Sequence, residues 1–224
     1  MKHKETRLAL SFLPFYLFTV LLLGSCAQTD DGRCHIKGTV VGEQYEGKRI
    51  FLVPFTGPKT AEYVDSVEIK DGKFEFTPDS VQMYKILLDY HYRYGTQELL
   101  VIGEPGIVIV TIDSISHGGG TPQNDSLEVW KNAIQQHNAR MAFLSRSGDA
   151  AKKQGQVAAA DSMKAEADSL HLHFKKFTRR MAGNIKDEPL HSFLSGMYPL
   201  TYKRTLPDGT VVEMDADTNQ PVSK

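Results

Sequence analysis

The feature that most constrains the fold is a change in the spacing of apolar residues near Gly120. Before it, residues 34–112 hold short runs rich in Val, Ile, Phe and Tyr, interrupted by Gly, Pro and Asp about every ten residues, a pattern typical of antiparallel strands. After it, apolar residues recur three and four positions apart, as they do in amphipathic helices. The two patterns in succession predict an α+β protein.

The first part is expected to form an antiparallel β-sandwich or an open barrel. The predicted strands are residues 34–41, 49–54, 63–69, 73–77, 83–89, 98–102 and 107–112. Asp71-Gly72 predicts a two-residue hairpin turn, because both positions tolerate positive φ. The register that follows would set Ile69 opposite Phe74 and Val67 opposite Phe76.

A second turn is expected at Glu104-Pro105-Gly106, between the last two predicted strands. Residues 107–110 after this turn are all apolar. We therefore expect this strand to be buried on both faces.

The second part is expected to be an antiparallel pair of helices. Thr121-Pro122 has the composition of a helix start, with threonine as the cap and proline in the first turn. A turn is predicted near residues 147–149, and the end of the second helix is expected to dock onto the β-domain. The predicted seam residues are Leu127, Trp130, Ile134, His137, Met141 and Leu144 in the first helix, and Ala160, Met163, Ala167, Leu170, Phe174, Phe177 and Met181 in the second.

The C-terminal residues predict a short helix and then a hairpin. Pro189 would begin a helix that ends near residue 197, and Pro207-Asp208-Gly209 would form a three-residue loop. This register sets Lys203 opposite Glu213. The polar residues 215–224 are expected to be frayed.

The N-terminus has the layout of a secretion signal. Lys2, Lys4 and Arg7 precede the uncharged residues 8–23. As a helix this stretch would span roughly 24 Å, which is shorter than the roughly 30 Å hydrocarbon core of a bilayer.

The residues that end this segment resemble a lipobox. Because Leu23-Gly24-Ser25-Cys26 places small residues before a cysteine, we expect cleavage before Cys26 and attachment of lipid to its sulfur. An ordinary signal peptide cut near Ala27 is the alternative. The lipid would hold the protein at a membrane of the cell envelope, and we expect the outer membrane, on its periplasmic or surface face.

These predictions divide the chain into five parts. They are a lipoprotein signal peptide (1–25), a tether (26–33), a β-sandwich domain (34–116), a helical hairpin region (117–198) and a C-terminal hairpin with a tail (199–224).

Charge and cysteine content exclude several functions. The 26 basic and 27 acidic residues nearly balance, so the sequence gives no reason to expect a nucleic-acid partner. Cys34 is the one cysteine besides Cys26, and no Cys-x-x-Cys pair occurs. We therefore expect Cys34 to be a small, half-buried apolar residue on the first strand and to have no redox role.

No residues are predicted to be catalytic or to bind a metal or cofactor. His171 and His173 are two positions apart, so on a helix they point about 200° apart and cannot share an ion. His137 is expected to be a hydrogen-bonded residue of the seam. Glycines 118–120 lack the Gly-Lys-Ser/Thr ending of a phosphate loop and are expected to be a hinge.

One aromatic cluster is a candidate ligand surface. Tyr84, Tyr90, Tyr92, Arg93 and Tyr94 surround one predicted strand end, and aromatic faces beside arginine suit sugars or peptides. The alternative is that these tyrosines only fill half-buried strand positions.

Several of these motifs together resemble a known family. The lipobox, Asp65-Ser66, Asp71-Gly72-Lys73-Phe74, Glu104-Pro105-Gly106 and residues 120–125 look like a domain of unknown function (4369-type) common in lipoproteins of Bacteroidota. The likeness spans roughly residues 36–197. In this family the module usually precedes a thioredoxin-like thiol-disulfide oxidoreductase domain, whose Cys-x-x-Cys motif this sequence does not contain.

The expected function is therefore that of a lipid-anchored, non-enzymatic binding or scaffolding module of the cell envelope, with a membrane and an envelope protein as partners. The alternative is an accessory module that works in trans with a thioredoxin-like oxidoreductase.

Overall fold

The computed structural model describes residues 31–58, 60, 62–88 and 98–222, which include ten strands and three α-helices. The strands are β1 (Cys34–Val40), β2 (Arg49–Pro54), β3 (Asp65–Glu68), β4 (Lys73–Phe76), β5 (Met83–Leu87), β6 (Glu98–Ile102), β7 (Gly106–Ile112), β8 (His117–Gly119), β9 (Thr201–Thr205) and β10 (Val211–Asp215). The helices are α1 (Pro122–Lys153), α2 (Val157–Asn184) and α3 (Leu190–Met197).

The first eight strands form two sheets with a common core. One sheet has the order β4-β1-β7-β8 and the other the order β3-β2-β5-β6. Ile36 and Val108 of the first sheet, and Ile50 and Ile86 of the second, are fully buried in one cluster. Of the two predicted architectures, the described residues therefore form the sandwich.

One strand pair differs from the predicted antiparallel arrangement. β1 and β7 are parallel, with Ile36 opposite Val108. The turn at Glu104-Pro105-Gly106 is the reason, because it carries the chain from β6 in one sheet to β7 in the other. The two strands that it joins are therefore not a hairpin.

The turn at Asp71-Gly72 is confirmed, with φ angles of 52° and 65°. Lys70 and Lys73 exchange two backbone hydrogen bonds across it, of 3.0 and 2.9 Å. The pairing predicted beyond this point is wrong, because β3 pairs with β2 and β4 pairs with β1. Val67 and Phe76 thus belong to different sheets.

The prediction that residues 107–110 are buried on both faces is also wrong. Val108 and Val110 face the core, but Ile109 between them is 53% exposed. The outer face of this sheet is not covered at Ile109, so the strand alternates in burial although its sequence does not alternate in polarity.

α1 and α2 form the predicted helical hairpin, and the predicted seam residues are buried or half-buried. The turn lies at Gly155, with φ of 70°, and not at residues 147–149. The amide of Gly155 donates to Lys152 O and that of Gln156 to Ala151 O, the bonds of a glycine-terminated helix end. Gly148 is instead buried inside α1, beside Met163.

A second core lies between the helices and the outer face of the β3-β2-β5-β6 sheet. Met83 and Ile102 of the sheet pack there with Trp130, Phe174 and Leu190 of the helices. Phe177 and Met181 pack against the same cluster, which confirms that the end of α2 docks onto the β-domain.

The glycine run predicted to be a hinge is part of the sandwich. Gly118 and Gly119 belong to β8, an edge strand paired with β7. The amide of Gly118 also donates to the Glu128 carboxylate of α1, at 3.1 Å. Because glycine has no side chain, its backbone is open to these partners. The bonds hold the segment in place.

The C-terminal hairpin has the predicted register, with Lys203 opposite Glu213. The prediction of a frayed tail is wrong for residues 215–222. The Asp217 carboxylate accepts hydrogen bonds from Lys175 and Arg179 of α2, and Val222 N donates to Glu213 O. Asp217 of this tail is thus an ion-pair partner of α2.

Within the described part of the chain, no helix combines the length and the apolar character needed to cross a bilayer. The predicted signal peptide and Cys26 lie outside the described residues.

Candidate functional site

The start of α1 is held by a carboxylate from the preceding turn. Oε1 of Glu104, a residue only 8% exposed, accepts hydrogen bonds from the amides of Gln123 and Asn124 at 2.8 and 3.1 Å. These amides belong to the unpaired first turn of a helix, where a negative charge is also favoured by the helix dipole. Glu104 therefore caps the helix, and the side chain of Thr121 makes no capping bond to the backbone.

Asn124 ties the same helix to the edge of β6. Its Oδ1 accepts from Ile102 N at 2.9 Å, and its Nδ2 donates to Ile102 O at 2.8 Å and to Thr121 Oγ1 at 2.8 Å. The side chain thus replaces the strand partner that β6 lacks at this point. We call Glu104, Thr121, Gln123 and Asn124 the helix-entry latch.

The latch also reaches the third helix. Gln123 Oε1 accepts from Leu190 N, and Gln123 Nε2 donates to Glu188 O, both at 3.2 Å. All four latch residues are buried and hydrogen-bonded, so their role is structural.

Sequence reasoning missed Glu104 and Asn124 as a pair. The sequence predicted Glu104 as a turn residue and Asn124 as part of a helix start, with no contact between them. The available signal was a helix start with no acidic residue at its third position, where a capping box has glutamate. The acid comes instead from Glu104, 20 residues from Asn124 along the chain.

Cys34 lies on β1, as predicted, but it is fully buried and not half-buried, and it is a free thiol. Burial, with a smaller contribution from the negative charge of Glu104, raises the pKa of the Cys34 thiol to about 11. The thiolate is the reactive form of cysteine, so Cys34 is poorly suited to nucleophilic or redox chemistry.

Of the predicted aromatic ligand surface, the structure describes Tyr84 alone, and this residue is buried. Tyr84 is 5% exposed and faces the sandwich core, where its hydroxyl donates to Ser80 O at 3.3 Å and accepts from Gln82 Nε2 at 3.0 Å. Its place on the inward-facing alternation of β5 is the reason. The other members, Tyr90, Tyr92, Arg93 and Tyr94, lie outside the described residues.

The histidines of α1 and α2 lie in different surroundings. His137 stacks on Phe174, with ring centroids 4.6 Å apart, and its buried Nε2 has no hydrogen-bond partner among the described residues. His137 is therefore a hydrogen-bonded residue of the seam through its Nδ1, as predicted, but its Nε2 is not satisfied. His173 is exposed and bonds Ser169 O through Nδ1, at 2.8 Å. No group of three or more His, Cys, Asp or Glu side chains in the described ranges is placed to hold a metal ion.

A groove of about 420 Å³ lies between the start of α1 and the end of α2. We call it the α1–α2 groove. It is lined by Ser126 and Val129 of α1 and by Phe177, Arg180, Met181 and Asn184 of α2. Val129 is 57% exposed there, which is unusual for an aliphatic residue beside two other apolar side chains.

The polar side chains of this groove are all able to donate hydrogen bonds. Among the described residues, the side chains of Ser126, Arg180 and Asn184 have no hydrogen-bond partner, in contrast to those of the latch a turn away. Arg180 is the one charged residue of the lining. The groove therefore combines an apolar floor with a positive, donor-rich rim, a surface suited to an apolar ligand that carries an acidic group.

Comparisons with known proteins give one family match and no activity. No curated protein and no solved structure matches the chain. One family model, described as a domain of unknown function (DUF4369), matches residues 34–127. This span runs from β1 into the second turn of α1, so it contains the whole sandwich and the helix-entry latch. Residues 34–127 of this chain are therefore similar to the DUF4369 family of domains of unknown function.

Proposed function

We propose that this protein is a lipid-anchored binding module of the cell envelope, and that the α1–α2 groove is its binding surface. The observation that carries the proposal is the contrast between two neighbouring polar clusters. The latch residues are buried and bonded to one another. Within the part of the chain that the structure describes, the side chains of Ser126, Arg180 and Asn184 have no hydrogen-bond partner, and they lie beside the exposed Val129. Open donors beside an apolar floor are the features of a surface that binds a partner.

The anchor is the lipid expected on Cys26. Several acyl chains on one residue hold a protein stably at a membrane, because each buried methylene contributes about 0.8 kcal/mol. The strand β1 begins eight residues after Cys26, so the lipid would keep the domain near the membrane surface. We expect this membrane to be the outer membrane.

The ligand chemistry follows from the groove lining. Phe177, Met181 and Val129 offer contacts to apolar side chains, and Arg180 offers a charge-assisted hydrogen bond to a carboxylate. We therefore propose that the partner is an envelope protein that presents an apolar segment with an acidic residue. An open groove on a helix pair is a common receptor for such a segment.

Site-directed photo-crosslinking tests this proposal. A Ser126→Cys variant of the full chain carries a thiol-reactive photo-crosslinker in the groove, while the thiol of Cys34 stays unlabelled because of its raised pKa. The matched control is Ser162→Cys, an exposed position on α2 outside the groove lining. In native envelope membranes we expect a crosslinked protein from position 126 only.

A second substitution tests the chemistry. Arg180→Glu reverses the one charge of the lining, so it should abolish the crosslink from position 126 without unfolding the protein. Identical products from positions 126 and 162, or none from either, would contradict the proposal. If the crosslinked partner is a thioredoxin-like oxidoreductase, the binding module serves thiol-disulfide exchange in trans.

A further inference from the structure

His137 on α1 and His171 on α2 lie opposite each other across the helix seam, with ring centroids 6.0 Å apart. We propose that these two imidazoles form a binding site for a borderline divalent transition-metal ion such as Zn²⁺ or Ni²⁺, with water as the remaining ligands. The site is separate from the α1–α2 groove, so it does not depend on the proposed function.

The first argument is the tautomer of His137. Its Nδ1 lies 3.1 Å from Oδ1 of Asn138, an oxygen that can only accept, so the proton belongs on Nδ1. Nε2 then carries a free lone pair, and it is this buried atom that has no partner among the described residues. A histidine that ligates a metal usually has this arrangement, with its other ring nitrogen donating to an oxygen.

The second argument is the distance between the rings. Zinc lies about 2.0–2.1 Å from each imidazole nitrogen, which places the centroids of two rings on one ion about 5 to 6 Å apart. The observed separation of 6.0 Å is at the upper end of this range. The separation of the two rings is therefore compatible with two imidazoles on one ion.

The third argument is that one ring is fixed and the other is free to turn. His137 is held by its stack on Phe174 and by its bond to Asn138. His171 is exposed, rests edge-on against Tyr198 with centroids 5.8 Å apart, and has no hydrogen-bond partner in the described part of the chain. A fixed ligand and an adjustable one on two packed helices make a usable pair.

The donor atoms determine the class of ion. Imidazole nitrogen suits zinc, nickel and copper, whereas calcium and magnesium require oxygen ligands. No thiol or carboxylate joins the pair among the described residues, so a site with two protein ligands is expected to bind moderately rather than permanently.

Calorimetric titration of the full, untagged chain in detergent with Zn²⁺ tests the proposal. We expect one saturable site per chain. His137→Ala and His171→Ala should each lower the affinity by about 100-fold, and Asn138→Ala by about tenfold because it removes the partner that orients His137. His173→Ala is the matched control, because this exposed histidine lies on the same helix and should leave the affinity unchanged.

X-ray absorption at the zinc edge provides an independent readout, with two imidazole ligands expected per ion. The proposal is overturned if the wild-type chain shows no saturable binding, if His171→Ala binds as well as His173→Ala, or if the absorption spectrum requires fewer than two imidazoles. Since His171 is exposed, its alanine variant should fold normally, and its melting curve without metal verifies this.

Discussion

At the scale of single residues, the polar groups divide into those that build the fold and those left open. Glu104 and Asn124 are buried and bonded to backbone, although their residue types alone suggest chemistry. Arg180 and His137 differ from these two residues. Arg180 lines a groove, and Nε2 of His137 has no hydrogen-bond partner among the described residues. Burial and partners therefore separate the two classes where residue type does not.

Substitution of Asn124 should show how much the latch contributes. Asn124→Ala removes the hydrogen-bond partner of both Ile102 N and Ile102 O at the end of β6. Each unsatisfied buried group costs about 1–3 kcal/mol. We expect the free energy of unfolding to fall by about 3 kcal/mol. Urea unfolding measures this, with the exposed Gln135→Ala on the same helix as the control, expected within about 0.5 kcal/mol of wild type. Equal midpoints for the two variants would show that the latch is not structural.

The reactivity of Cys34 gives a second residue-scale prediction. Since the pKa of its thiol rises from 9.0 to about 11, the thiolate fraction at pH 8 falls about 100-fold relative to the unfolded chain. Alkylation by iodoacetamide should therefore be slower by at least this factor in the folded protein than in urea. Labelling at comparable rates in both conditions would mean that Cys34 is accessible and ionised.

At the scale of elements, local sequence patterns predicted the helices and turns better than they predicted which strands pair. The seam of α1 and α2 could be predicted because helix period depends on neighbouring residues, and Trp130 and Phe174 are buried as expected. The Asp71-Gly72 turn could be predicted for the same reason. Its strands diverge because each joins a different sheet, and that choice depends on contacts far apart in sequence.

The candidate site was less predictable than the fold. Tyr84 belonged to an aromatic cluster in the sequence, yet the alternation of β5 turns it into the core. The α1–α2 groove is formed by Ser126 and Arg180, which are over 50 positions apart and carry no motif. Such a site depends on the exact crossing of two helices, which residue spacing does not specify.

The location of the helical turn gives an element-scale prediction. Gly148 lies inside α1, where an added Cβ would meet Met163 at 3.8 Å, an ordinary contact, so Gly148→Ala should stabilise the protein by about 1 kcal/mol. Gly155 has a φ of 70°, so Gly155→Ala should destabilise it by about 1 kcal/mol. Thermal unfolding of the two variants should give shifts of opposite sign. A lower melting temperature for Gly148→Ala would place the turn near residue 148 after all.

At the scale of the whole molecule, the described chain has three structural parts. The sandwich, the sheet-facing helices and the C-terminal hairpin are joined by the latch and by the contacts of Asp217 with Lys175 and Arg179. Residues 32–224 thus hold the two helices that line the α1–α2 groove. The proposed role of this groove depends on where the chain is held, since a groove at a membrane meets envelope proteins at high local concentration.

The most direct test of this account is lipid attachment at Cys26. In cells labelled with radioactive palmitate, we expect the wild-type chain to incorporate label and to sediment with membranes. Cys26→Ala should incorporate none and leave the membrane fraction, whereas Cys34→Ala should behave as wild type. Undiminished labelling and membrane attachment of Cys26→Ala would contradict the account.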